Sequence, residues 1–192
     1  MRSLREGETA MLLNTPQAYG GLTKALHWSI AAIFAFQLGS GLVMTRLAQG
    51  QVVLRLGGDA WYNWHKTWGL AALLLAVARL LARRAGTLPD WADCLTAFDK
   101  RLVHRAEQLL YLGMFLMPLS GLLHVMAGGY GVQFAGLWAL PNPLPRIGWL
   151  AAVGAWGHVA TGIMLAVALA GHLLVVGRHL PRGLLRRMLP RG

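Results

Sequence analysis

The sequence predicts an all-α integral membrane protein, a four-helix bundle in up-down-up-down order, and three observations carry that prediction. First, its 192 residues are 56% hydrophobic and 13% charged, against roughly 25% charge in a soluble domain, and mean hydropathy is +0.48. Second, four apolar stretches lie near residues 25–45, 64–81, 106–127 and 151–176, and a bilayer-crossing helix needs about 20 such residues. Third, the basic residues alternate between the two ends of these stretches. Arg2, Arg5 and Lys24 precede the first, and Arg79, Arg83, Arg84, Lys100, Arg101 and Arg105 bracket the connection between the second and third. Arg178, Arg182, Arg186, Arg187 and Arg191 follow the fourth, leaving Arg46, Arg55, Lys66 and Arg146 for the opposite side. The positive-inside rule then puts both termini and the middle connection in the cytoplasm.

The elements follow in chain order. Residues 1–23 carry Arg2, Arg5, Glu6 and Glu8 and no long apolar core. The expectation is therefore no cleaved signal peptide, with the first helix itself directing insertion. Residues 46–63, with Gly50, Gly57 and Gly58, form an outer connection. Residues 82–105, with Pro89 and Asp90-Trp91-Ala92-Asp93, form an inner connection with an interfacial turn. In the third stretch Pro118 predicts a kink, because it removes a helical donor and crowds the preceding turn. Residues 128–150 combine Gly128, Gly129 and Gly131 and the prolines Pro141, Pro143 and Pro145 with Phe134, Trp138 and Trp149; such aromatics favour the headgroup zone. No repeat or low-complexity tract interrupts the chain, so residues 1–192 read as a single domain.

Small residues recur within the spans: Gly39, Ser40, Gly41, Gly69, Ser120, Gly121, Gly157, Gly162 and Gly171. They permit close helix packing in lipid, and equally leave room for a flat macrocycle beside the backbone. The net charge of +11 is distributed as a membrane topology distributes it. Its expected partner is anionic lipid headgroups, not nucleic acid. The single cysteine, Cys94, excludes an intramolecular disulfide, and no C-x-x-C-H motif is present for covalent haem attachment.

The histidines carry the functional signal. His158 and His172 lie fourteen residues apart in the last stretch. Fourteen helical residues advance about 21 Å and turn about 1400°, returning to within about 40° of the starting face. Two imidazoles on one face, separated by most of the ~30 Å hydrocarbon thickness, suit one cofactor near each membrane side. His27 begins the first stretch and His65 the second, so antiparallel helices carry them to opposite sides. The expected pairs are His27 with His172 for an inner haem iron and His65 with His158 for an outer one. A lone membrane histidine is as readily a packing residue as a ligand, but four in complementary positions favour ligation. Bis-imidazole ligation fills both axial positions and favours electron transfer over oxygen activation. His124 is the rival ligand for the outer iron, while His104 and His179 read as interfacial. Arg46 and Arg146 outside, and Arg105 and Arg178 inside, are candidates for pairing with haem propionates, against simple snorkelling at helix ends.

Leu26-His27-Trp28, and Trp64-His65-Lys66-Thr67-Trp68-Gly69-Leu70 running into Ala78-Arg79-Leu80-Leu81, resemble the first two helices of the bacterial cytochrome b561 family. Tyr111 through Met117-Pro118-Leu119-Ser120-Gly121 resembles its third, and Gly157-His158 with Ala170-Gly171-His172 its fourth. The resemblance implies a membrane cytochrome of the bacterial inner (cytoplasmic) membrane with two non-covalent b-type haems, exchanging electrons with ubiquinone in the respiratory chain. Some members look like superoxide:ubiquinone oxidoreductases, so the expected function is transmembrane electron transfer between an outer-face donor, superoxide or a redox protein, and ubiquinone. The alternative is a haem b subunit of a larger quinone-linked dehydrogenase or hydrogenase, with no substrate of its own. A third reading, a small transporter or assembly factor without haem, is disfavoured because the four stretches hold no acidic residue except Glu107, at the inner edge of the third.

Overall fold

Each of the four apolar stretches folds as one long α-helix in this computed structural model, which describes residues 12–189. Helix α1 is Gly21–Met44, α2 is Gly58–Ala85, α3 is Ala97–Gly128 and α4 is Gly148–Arg178. The helices start earlier than the apolar stretches within them. Hydropathy marks the part suited to lipid, whereas backbone hydrogen bonding runs on into the polar turns. At α3 the early start has a local cause in Thr96. Its hydroxyl accepts from the Asp99 N–H at 3.1 Å, while Asp99 Oδ2 accepts from the Thr96 N–H at 3.1 Å. This reciprocal cap satisfies donors that a helix start otherwise leaves open. Pro118 lies inside α3, which runs through it as one helix.

Helices α1, α3 and α4 have the length and composition to cross a membrane. Helix α2 has 28 residues, ample length, but Lys66 and Arg79 stand within its apolar part. Along α4 large apolar side chains face outward: Trp156 is 75% exposed, Ile163 63% and Val167 66%. Water would penalise that stripe and lipid tails would not. Many of the side chains turned inward are small, among them Ala72, Ala76, Ala106, Ala151, Ala168 and Ser40, beside larger ones such as Ile30, Met114 and Val175. Close helix approach in lipid uses the small ones. The chain is thus an all-α, multi-pass membrane protein.

Residues gather into two compact units, each cut from all four helices. Among the described residues, one holds 12–29, 75–112 and 164–189, and the other 30–74 and 113–163. In the first, the tail after α4 forms two 3-10 turns, Leu180–Arg182 and Leu184–Arg187, joined at Gly183 with φ +77°. Trp28 Nε1 donates to the Met188 carbonyl at 2.9 Å and Lys24 Nζ to the Leu189 carbonyl at 3.0 Å. Arg187 donates to the Asp90 carbonyl at 2.7 Å, and the Asp90 N–H donates to Pro16 O at 2.8 Å. Part of the basic tail therefore binds protein carbonyls, although lipid alone was expected as its partner. The readings placed on Arg2, Arg5, Glu6, Glu8 and Arg191 lie outside the described residues.

In the second unit both connections fold into short antiparallel ribbons, which the sequence reading left as loops. The first pairs β1 (Val52–Val53) with β2 (Leu56–Gly57) through Leu54 and Arg55, both at positive φ. The second pairs β3 (Val132–Phe134) with β4 (Trp138–Leu140). It is fastened to α2: the Ala135 N–H donates to Thr67 Oγ1 at 2.9 Å, and Lys66 Nζ donates to Gly131 O at 2.9 Å. Trp138 and Trp149 stay exposed, as headgroup-zone aromatics do.

Candidate functional site

The four histidines singled out in the sequence meet in two pairs. In the first unit the His27 and His172 ring centres lie 6.3 Å apart, with their planes at 51°. In the second unit His65 and His158 lie 6.2 Å apart, at 72°. All four side chains are half-buried. A metal between two imidazoles takes bonds of about 2 Å, and the step from nitrogen to ring centre is about 1 Å, giving about 6 Å between centres. Both separations meet that spacing. The angles exclude parallel stacking in either pair; His27 and His172 are tilted, and His65 meets His158 edge to face.

In the second unit the ring nitrogens are committed. His158 Nδ1 lies 2.9 Å from the Met117 carbonyl oxygen. A carbonyl only accepts, so Nδ1 carries the proton and Nε2 keeps a free lone pair. Metal-binding histidines are generally held this way, with the outer partner fixing ring and tautomer. His65 Nδ1 lies 2.9 Å from Ser40 Oγ, whose own hydroxyl is 3.2 Å from the Gln37 carbonyl. Ser40 can therefore donate to Gln37 O and accept from His65, leaving Nε2 of His65 free too. Gln37 Nε2 donates to the His65 carbonyl at 3.1 Å and steadies the same turn of α2.

Two glycines make room for these rings. A Cβ at Gly121 would stand 3.0 Å from both Cε1 and Nδ1 of His158, and one at Gly41 would stand 3.6 Å from His65 Cε1. A bare backbone is thus needed at 121 and merely accommodating at 41. Ser120 donates to the Leu116 carbonyl at 2.6 Å, one residue before the Met117 carbonyl that His158 meets. The small residues of the spans serve packing and ring placement together.

The other histidines separate clearly. His124, the rival ligand, has Nδ1 at 2.9 Å from the Ala151 carbonyl and its ring 5.3 Å from that of Tyr130. It stands in neither imidazole pair. His104 is exposed, with Nε2 3.2 Å from Gln108 Nε2. His179, expected at the interface, is 4% exposed. Its Nε2 lies 3.1 Å from Asp99 Oδ2, and Arg182 donates to its Nδ1 at 3.3 Å. It was misread because the tail's fold back onto the start of α3 has no local sequence signal.

The arginine candidates also change. Arg105 donates to Gln108 Oε1 at 3.1 Å, and Arg178 stands 3.8 Å from Asp99 Oδ1. Arg79, read only as a flanking charge, lies in the first unit with a buried NH1 that has no hydrogen-bond partner. Its guanidinium is 5.6 Å from the centre of the Tyr111 ring. Arg83, one turn on, lies 5.1 Å from the same ring and pairs with Glu107.

Half-buried imidazoles facing each other between apolar helices have the spacing to hold a flat metallocofactor. The model of the prokaryotic cytochrome b561 family matches residues 18–191, and the chain belongs to that family. It is 31% identical over 143 residues to cytochrome b561 homolog 2 of Escherichia coli (strain K12), a match covering 70% of each chain. Membership makes it a membrane cytochrome, with haem b as cofactor and transmembrane electron transfer as function.

Proposed function

We propose that this chain holds two b-type haems by bis-histidine ligation and carries electrons between an outer-face donor and ubiquinone. The observation that supports the reading is the repeated imidazole separation, 6.3 Å and 6.2 Å, in two pairs drawn from different helices. His65 and His158 would hold one haem, and His27 and His172 the other. Bound haem would supply one-electron ferric–ferrous chemistry, and a histidine on each side would leave oxygen no open site. Met117 O and Ser40 hold His158 and His65 with Nε2 unprotonated, as ligation requires.

In this reading the 192 residues act as one domain of the bacterial inner membrane, both termini cytoplasmic, since basic residues concentrate at that end. The His65–His158 pair then lies toward the outer face. Arg46, Arg55, Lys66 and Arg146 outnumber Asp59 there, an excess that attracts superoxide or an acidic redox protein by steering. Lys66 spends part of that capacity on Gly131 O, so the steering rests mainly on the arginines.

The test is the detergent-purified protein, with a pyridine haemochrome count and reduced-minus-oxidised spectra. Two b-type haems per chain are expected, and His158→Ala should remove one while sparing the other. A wild-type preparation without haem, or a His158→Ala protein that keeps both haems, would sink the ligand scheme. Purification alone, without an iron–sulfur or molybdenum partner, followed by reduction with superoxide or quinol, separates a self-sufficient oxidoreductase from a subunit of a larger dehydrogenase.

A further inference from the structure

Arg79 poses a problem that no group among the described residues solves. It lies in the apolar part of α2, and its buried NH1 has no hydrogen-bond partner. Leaving a charged donor unpaired in a low-dielectric setting is costly, so such residues are found with partners. The nearby carboxylate, Glu107, is taken by Arg83. The Tyr111 ring offers its face to both guanidinium groups, which tempers the charge without accepting a hydrogen bond.

The position of Arg79 supplies the second half of the argument. On α2 it follows His65 by the same fourteen residues that separate His158 and His172 on α4. It therefore lies on the histidine-bearing face of α2, at the level where α2 has no histidine to offer. Arg79, His27 and His172 all fall in the same compact unit. An arginine is suited to this place, because its planar fork stays charged and takes a carboxylate through two parallel hydrogen bonds.

We infer that Arg79 is the anion anchor of the His27–His172 site, its free NH1 binding a carboxylate of the ligand seated between those imidazoles. This rests on the haem reading above, under which the carboxylate is a haem propionate. Arg79 is then a positioning residue for that haem alone. It holds the macrocycle by its edge while the histidines hold the iron, and its positive charge raises that haem's reduction potential, because a nearby cation favours the ferrous state. A lipid phosphate would meet the same donor with the same chemistry.

The test compares full-length wild type, Arg79→Gln, Arg79→Lys and His172→Ala in mild detergent, measuring haem count, both midpoint potentials and haem loss to excess apomyoglobin. With the propionate anchored, Arg79→Gln lowers one potential and releases that haem about tenfold faster or more, while the other haem keeps its spectrum, potential and retention. Arg79→Lys, which keeps the charge but not the fork, falls between. Retention of the second haem serves as the check on folding. Two unchanged potentials and unchanged haem loss in Arg79→Gln would overturn the inference, even with the haem scheme intact. A lipid phosphate overturns the propionate assignment and declares itself differently: exhaustive delipidation shifts the wild-type potential as far as Arg79→Gln does and leaves the variant unmoved. Failure of the haem reading itself is read separately, from a colourless wild type or a His172→Ala protein that keeps both haems.

Discussion

Replacing Gly121 with alanine tests whether ring placement, and not merely helix packing, governs the His65–His158 site. The new Cβ would stand 3.0 Å from Cε1 and Nδ1 of His158, tighter than ordinary van der Waals contact. The ring has to move by a few tenths of an ångström, and it sits at 2.9 Å from the Met117 carbonyl. Spoiling a buried hydrogen bond costs about 1–3 kcal/mol, and overpacking about 1–3 kcal/mol more. Alanine's better helix propensity returns about 1 kcal/mol. The net is about 1–5 kcal/mol, felt at the imidazole first, so haem held there should weaken by about tenfold or more. The assay is haem titration of the apoprotein followed by difference spectra, alongside thermal melting. Gly39→Ala is the control, since nothing lies within 4 Å of its Cβ position; it should bind normally and melt at or above the wild-type temperature. A Gly121→Ala protein that takes up and holds two haems like wild type would refute the reasoning.

Other substitutions probe neighbouring contacts. Ser40→Ala removes the side-chain partner of His65 Nδ1; loss of such a partner typically costs 10–100-fold in metal affinity, so faster haem loss from one site is expected in a transfer assay. Gly154→Ala places a Cβ 2.5 Å from the His124 backbone nitrogen, where a main chain has to yield. It should lower stability by about 1–3 kcal/mol or more, visible as an earlier melt for both haem signals. Thr96→Ala deletes the cap of α3 and should cost about 1 kcal/mol, read as a lower melting temperature with unaltered haem spectra. Trp28→Phe loses one exposed hydrogen bond to Met188 O and should change melting by no more than about 0.5 kcal/mol.

The sequence was most informative where geometry is local. The fourteen-residue spacing of His158 and His172 depends only on helical pitch, and it foretold both pairings with His27 and His65. What surrounds those rings was hidden because it is remote in sequence. Ser40 reaches His65 across 25 residues and Met117 reaches His158 across 41, and a backbone carbonyl leaves no trace in residue type. Arg79 was obscured for another reason, since an arginine near a helix end usually serves topology. The ribbons at 52–57 and 132–140 escaped notice because two or three residues per strand give no period to read. His179 was misjudged for want of any clue that the tail folds back to Asp99.

The two rings of the second unit differ in what evolution can do to them. His65 leans on a serine hydroxyl, which a single nucleotide change can delete, enlarge or replace. His158 leans on a main-chain oxygen, and every amino acid at position 117 brings the same oxygen while α3 keeps its path. One side of the site is thus open to inherited adjustment, and the other is largely shielded from it. The side-chain dial on this pair is strongest at position 40, at 2.9 Å from the His65 ring, and weaker at Ser120, whose hydroxyl stands 3.5 Å from His158.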